Sequence, residues 1–262
     1  MPDLAARLPV VFIGHGSPMN TLADNTYTQA WRRLAGRLPR PKAILVISAH
    51  WYVSGTAVTA MPQPKTIHDF YGFPPELFAY EYPAPGAPAI ASRVRALLGD
   101  VDVQADETWG LDHGAWSVLA HMYPEAGVPV LQLSIDGTQP AAFHLDVGRR
   151  LAPLRDEGVL ILGSGNVVHN LRVMRRTDAA EPFAWAVEFN DWLRERLITR
   201  DAQAIVAPMQ FGDAARLSIP TPEHYLPLIY VLGAASEEDR LEVLTDGVDL
   251  GSISMLSVAY GA

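Results

Sequence analysis

The chain has 262 residues, 49% of them hydrophobic, enough for one large α/β domain or two small ones with a sizeable core. Its formal net charge of −9 disfavours nucleic acid and anionic membrane surfaces, which are bound through clustered Lys and Arg. Cysteine is absent, which excludes disulfides and thiolate zinc sites and leaves His, Asp and Glu to hold any metal.

The N-terminal stretch MPDLAARLPVVF carries an acid early and lacks a basic segment leading into a long apolar one, so no signal peptide is expected. No run of 18 apolar residues occurs, so no transmembrane helix is expected either, and the cytoplasm is the expected compartment. A first apolar strand, 9–13, stops at Gly14, and His15 follows between Gly14 and Gly16. A second strand, 43–48, is followed by His50, and a third spans 57–60. The loop TIHDFYGFP (66–74) gathers His68, Phe70, Tyr71 and Phe73, either as a packed turn or as the rim of a pocket. Helical spacing appears at 88–98 and at 114–123, with His113 just before the second of these and His121 inside it. A strand at 128–135 precedes a helix at 140–155 that carries His144. A further strand at 159–163 runs into GSGN and, six residues beyond Gly163, His169. Trp185, Phe189, Trp192, Leu193 and Leu197 share one face of a helix at 184–197. His224 falls at the start of a helix read over 222–232, and Asp246-Gly247 reads as a hairpin turn.

Strands alternating with helices predict an α/β fold with a mainly parallel central sheet flanked by helices. No Pro/Gly/Ser-rich linker divides the chain, so residues 1–262 are read as a single domain. Ligands bind such sheets outside the carboxyl ends of the strands, where His15, His50 and His169 fall. His121 reads as a surface or hydrogen-bonded core residue, and His144 as a solvated helix-face residue. The remaining constellation, His15, His50, His113, His169 and His224, suits Zn, Fe(II), Ni or Cu better than Mg or Ca. Other chemistries find less support. Ser17 and Ser164 are hydroxyls near histidines, but no G-x-S-x-G elbow is present. GSGN is neither a P-loop nor a G-x-G-x-x-G fingerprint, and H-E-x-x-H is absent.

Eight segments in series carry a resemblance: FIGHGSPMN (12–20), ISAHW (47–51), HDFYGFP (68–74), YPAPG (82–86), GLDHGAW (110–116), PVLQLSI (129–135), GSGNVVHNL (163–171) and TPEHYLPL (221–228). Through them the chain resembles the class III extradiol ring-cleaving dioxygenases, and within these the 4,5-DOPA extradiol dioxygenase group. The resemblance implies a non-haem metal held by His15, His50 and His224. His169 would be a further ligand, the catalytic base, or each at different stages, and His113 an acid–base group. Fe(II) would be the working ion, with Zn(II) able to occupy the same imidazoles in a purified sample. The substrates would be O2 and a catechol such as DOPA, opened to a semialdehyde, with His68, Phe70, Tyr71 and Phe73 lining the ring. The wider superfamily uses two histidines and one carboxylate; His224 stands in the carboxylate's place and would leave a divalent ion its full charge. Arg172 and Glu223 are candidates to pair with an amino-acid substrate. A zinc hydrolase using the same pocket, or a binding protein on a related fold, are the rival readings.

Overall fold

The computed structural model describes residues 7–175, 177 and 181–262; residues 1–6, on which the signal-peptide expectation partly rests, lie outside the described residues. In chain order the elements are β1 (Val10–Gly14), α1 (Thr26–Arg37), β2 (Ala43–Val53), β3 (Thr56–Thr59), α2 (Pro75–Phe78), α3 (Pro88–Leu98) and β4 (Val103–Asp106). There follow α4 (His113–Met122), β5 (Val130–Asp136), α5 (Ala141–Leu151), β6 (Val159–Gly165), α6 (Ala184–Thr199), α7 (Ala202–Val206), α8 (Asp213–Ser218) and α9 (Leu226–Ala234). The chain ends in β7 (Leu241–Thr245), β8 (Val248–Asp249), β9 (Ile253–Ser254) and β10 (Ser257–Tyr260). No described helix is long and apolar enough to cross a membrane.

The main sheet has the order β4-β3-β5-β2-β6-β1-β10-β7. Its centre is parallel: β6 pairs in parallel with both β1 and β2, and β2 pairs in parallel with β5. Antiparallel pairing enters through β3 against β5 and through β10, which joins β1 to β7. The central strands β1, β5 and β6 are buried along their whole length, as continuous apolar strands covered on both faces must be. One cluster packs α3, α5, α6 and α9 residues such as Val94, Val147, Phe189 and Ile229 on one face. The other packs Trp31 and Leu34 of α1 and Trp116 and Leu119 of α4 on the opposite face. The result is the expected single α/β domain with helices on both sides of a mostly parallel sheet.

Three elements differ from their sequence reading. The 140–155 helix breaks after Leu151 into a 3-10 turn, Ala152–Arg155; Pro153 has no amide proton to continue the ladder. The helix read from 222 starts at Leu226, because residues 222–225 form a turn closed on the Pro222 carbonyl. The strands beside Asp246-Gly247 do not pair with each other: β8 pairs with β9, and β7 with β10. The expected hairpin turn is therefore displaced to 250–252, where Leu250 and Gly251 both take positive φ.

Candidate active site

The sheet delivers its histidines by register. His15 follows β1 directly, and Gly16 beyond it takes φ +64°, which lets the chain turn away beneath the ring. His50 lies inside β2, which runs past residue 48; its pairing with β5 slips between Ile47 and Tyr52, and its pairing with β6 ends at Ser48. His113 is the first residue of α4. Asp112 caps that helix, accepting from the Ala115 amide at 3.2 Å. The same buried carboxylate accepts from Ser48 Oγ at 2.6 Å and Gln132 Nε2 at 2.6 Å, so helix, β2 and β5 are tied together. Burial foremost, with the Asp69 charge adding to it, pushes the Asp112 carboxyl up. Gly114 allows this close approach, since a Cβ there would lie 2.4 Å from Ser48 Oγ and 2.8 Å from the His50 ring.

His224 is placed by contact with β6. A Cβ on Gly165 would stand 2.2 Å from the His224 carbonyl oxygen, which accepts from the Asn166 amide at 2.9 Å. His169 is held by its backbone, its amide donating to Ser218 O at 2.8 Å. GSGN is thus buried strand and strand end rather than a phosphate cradle.

The five imidazoles converge. Ring centroids lie 5.1 Å apart for His15 and His50, 5.4 Å for His15 and His224, and 5.1 Å for His50 and His224. His113 lies 3.8 Å from His50, and His169 stacks on His224 at 3.4 Å. The potential ligand atoms of His15, His50 and His113 lie within 4.8 Å of one another, as do those of His169, Glu223 and His224. Burial foremost, reinforced by the neighbouring imidazoles, holds His15 and His224 well below the usual histidine range. It does the same for His50 despite the opposing pull of Asp69, and brings His169 to about 4. These rings are therefore neutral near pH 7, with lone pairs free for a cation.

Oxygens stand behind the rings. His15 Nδ1 is 2.9 Å from Ser164 Oγ, and His224 Nδ1 is 3.2 Å from Glu223 Oε1. Asp69 Oδ2 lies 3.2 Å from His50 Nδ1, and Asp69 Oδ1 2.9 Å from His113 Nδ1, though His113 Nδ1 is not aligned for a hydrogen bond. Burial opposes ionisation of the Asp69 carboxyl, yet His113, through its adjacent side chain and its amide, and the nearby His50 ring outweigh this and hold it at about 2. The backings at His15, His50 and His224 favour a proton on Nδ1 and a bare Nε2. His15 and His50 bring their Nε2 atoms to 3.3 Å. Two bare nitrogens facing each other are favourable only around a shared cation. This donor set fits a borderline divalent metal such as Zn or Fe(II), and not Mg or Ca.

The other expected residues divide. Phe70 packs edge-on against His113 at 5.5 Å, and Phe73 packs against Phe70 at 5.3 Å. His68 Nε2 is 2.9 Å from the Tyr80 carbonyl oxygen, as in a packed turn. Tyr71 is 91% exposed. His121 is a hydrogen-bonded core residue, its ring nitrogens 2.7 Å from Asn20 O and 3.0 Å from Arg32 Nη2. His144 is not the solvated residue expected: it is fully buried, its Nδ1 2.8 Å from the Tyr230 hydroxyl, because its side of α5 packs on α9. Ser17 caps a 3-10 turn through the Met19 amide. Arg172 is exposed, and Glu223 is engaged by Thr221 and His224. Asp69 was not singled out by sequence; its only signal was a carboxylate set in the aromatic loop beside His68. A surface depression of about 350 Å³ lined by Arg95, Gly99, Asp100 and residues 101–103 contains no imidazole.

The family of catalytic LigB subunits of aromatic ring-opening dioxygenases has a model that matches residues 9–261. The chain belongs to this family. It is 50% identical over 260 residues to a 4,5-DOPA dioxygenase extradiol of Escherichia coli K12, covering 98% of this chain and 96% of that protein. A protein of the same name from Beta vulgaris is 39% identical over 257 residues, covering 95% of each. The crystal structure of an uncharacterized Escherichia coli K12 protein superposes with a TM-score of 0.85 at 47% identity, covering 97% of this chain and 99% of that one. The chain is thus an oxidoreductase of the extradiol, ring-opening type, as the eight segments implied.

Proposed function

We propose that residues 1–262 act as one catalytic domain that cleaves a DOPA-like catechol with O2. The carbon–carbon bond beside the vicinal hydroxyls breaks, and both oxygen atoms enter the ring-opened semialdehyde. The observation that carries this reading is the convergence of five imidazoles, with rings as close as 3.4 and 3.8 Å, at one end of the sheet.

His15, His50 and His224 hold the metal, with Fe(II) as the working ion and Zn(II) as a competing occupant. Bound there, Fe(II) would offer open positions to the two catechol oxygens and the redox capacity to activate O2. His169, neutral and stacked on His224, takes a hydroxyl proton from the substrate and can also serve as a ligand. His113 holds and returns protons, its backbone fixed by the bond from its amide to Asp69 Oδ1 at 2.9 Å. Both roles suit general acid–base catalysis by imidazole. Phe70 and Phe73 form an apolar wall beside His113 that takes the aromatic ring, with His68 behind them and Tyr71 at the rim. The substrates are small molecules, the compartment is the cytoplasm, and neither nucleic acid nor a membrane takes part.

The test is anaerobic loading with Fe(II), followed by a panel of catechols and oxygen. Oxygen uptake with a new visible absorbance is expected, strongest for DOPA-like diols. If none of the catechols supports oxygen uptake by the iron-loaded protein, the assignment is lost.

A further inference from the structure

Ser164 makes two hydrogen bonds but has one proton. Its Oγ lies 2.5 Å from the Gly114 carbonyl oxygen and 2.9 Å from His15 Nδ1. A carbonyl oxygen only accepts, so the serine proton is committed to Gly114. The second bond then has a single solution: His15 Nδ1 carries a hydrogen and donates it to Oγ. In a neutral imidazole the other nitrogen is bare, and that nitrogen, Nε2, is the one facing His50.

Among the described residues, His15 Nδ1 has no hydrogen-bond partner other than Ser164 Oγ. Ser164 is fully buried and His15 is 2% exposed, so water does not compete for either group. The serine is also fixed along the sheet, paired with Ile13 of β1 and Ser48 of β2. Its hydroxyl faces the start of α4, next to His113. This geometry also removes Ser164 as a nucleophile, since His15 donates to it and is in no state to accept its proton.

We propose that Ser164 is a positioning residue that locks His15 in its Nδ1–H tautomer and aims the bare Nε2 into the histidine cluster. The consequence for metal binding rests on reading His15 as a ligand. The lock itself is a property of the metal-free chain. Outer partners of this kind fix ring orientation and tautomer, and their loss costs roughly 10–100-fold in metal affinity.

The experiment is long-range ¹H–¹⁵N correlation of the histidine rings in the metal-free protein at neutral pH, with His15 assigned from His15→Gln. The wild type should show His15 with its proton on Nδ1. Ser164→Ala should move population to the Nε2–H tautomer, and chelator competition should show zinc affinity lower by roughly 10–100-fold. A wild-type His15 in the Nε2–H form overturns the lock without recourse to any variant. So does a folded Ser164→Ala protein with unchanged tautomer and zinc affinity. If the tautomer shifts as expected but zinc leaves the wild-type His15 resonances unmoved, the lock stands and the ligand role of His15 falls.

Discussion

His15, His50 and His224 are each backed at Nδ1 by an oxygen, and two of those oxygens belong to carboxylates, Asp69 and Glu223. Three neutral imidazoles would leave a divalent ion its full charge, which is costly in a desolvated site. With these three as ligands, Asp69 and Glu223 would offset that charge from just outside the rings. Alanine at His15, His50 or His224 should each abolish bound metal by elemental analysis; full occupancy in two of the three would refute the ligand set. His113→Ala should keep the metal but turn over ~10²–10⁴-fold more slowly. His121→Ala should keep both metal and activity, since its bonds go to Asn20 and Arg32. His144 gives a pH prediction. Burial lowers it from 6.5 to about 4, so it stays neutral when folded while the unfolded chain takes up a proton. Its stabilising effect is therefore complete above pH 6.5 and lost as pH falls toward 4. The shift corresponds to about 3 kcal/mol at most. His144→Gln should flatten the acid limb of a denaturation series; an unchanged slope would count against a neutral buried ring.

At the level of elements, the legible parts were those with a strong period or continuous burial. β1, β5 and β6 are wholly buried and read directly from their Val, Ile and Leu runs. On α6, Phe189, Leu193 and Leu197 are buried as their spacing required, with Trp185 and Trp192 half-buried beside them. β4 was missed because it is a four-residue strand with exposed Gln104 and Ala105, and presents no apolar alternation. α1 was missed although its Asn25–Thr28 capping box is a readable signal, because few of its residues are apolar. The site histidines were legible because strand ends and helix starts announce themselves locally. Asp69 and Ser164 were not understood, since their partners lie far away in sequence and only register brings them together. The Gly165–His224 contact is of the same kind. Gly165→Ala would set a Cβ 2.2 Å from the His224 carbonyl oxygen, which is backbone rather than the end of a flexible side chain. A loss of about 1–3 kcal/mol in stability is expected, as for other overpacked positions, with weakened metal binding through displacement of His224. Wild-type zinc affinity in this variant would show that the turn relaxes without moving the ring.

Across the whole molecule, chemistry and closure are placed at opposite ends of the parallel strands. The imidazoles gather where β1 and β6 end. Arg155, fully buried, precedes the start of β6. Its guanidinium donates to both oxygens of Asp239, at 2.5 and 3.0 Å, and to the carbonyls of Leu8 at 2.8 Å and Ala234 at 2.9 Å. A fifth bond reaches the Tyr260 carbonyl at 3.4 Å. One side chain thereby ties the entry to β1, the end of α9 and the last strand into a single unit. Bidentate pairing with the remaining protons satisfied is what makes such a buried charge tolerable. Removing one partner strands the other: Asp239→Ala should cost about 3–5 kcal/mol, seen as a lower denaturation midpoint. Replacing both residues with apolar ones should recover part of that loss, because no charge is then left buried alone. Neither change touches the histidine cluster, so zinc affinity and the His15 tautomer should remain those of the wild type in the folded protein. A destabilised variant that also lost zinc affinity while folded would mean that strain at this end of the sheet reaches the histidines, and the separation of closure from chemistry would be wrong.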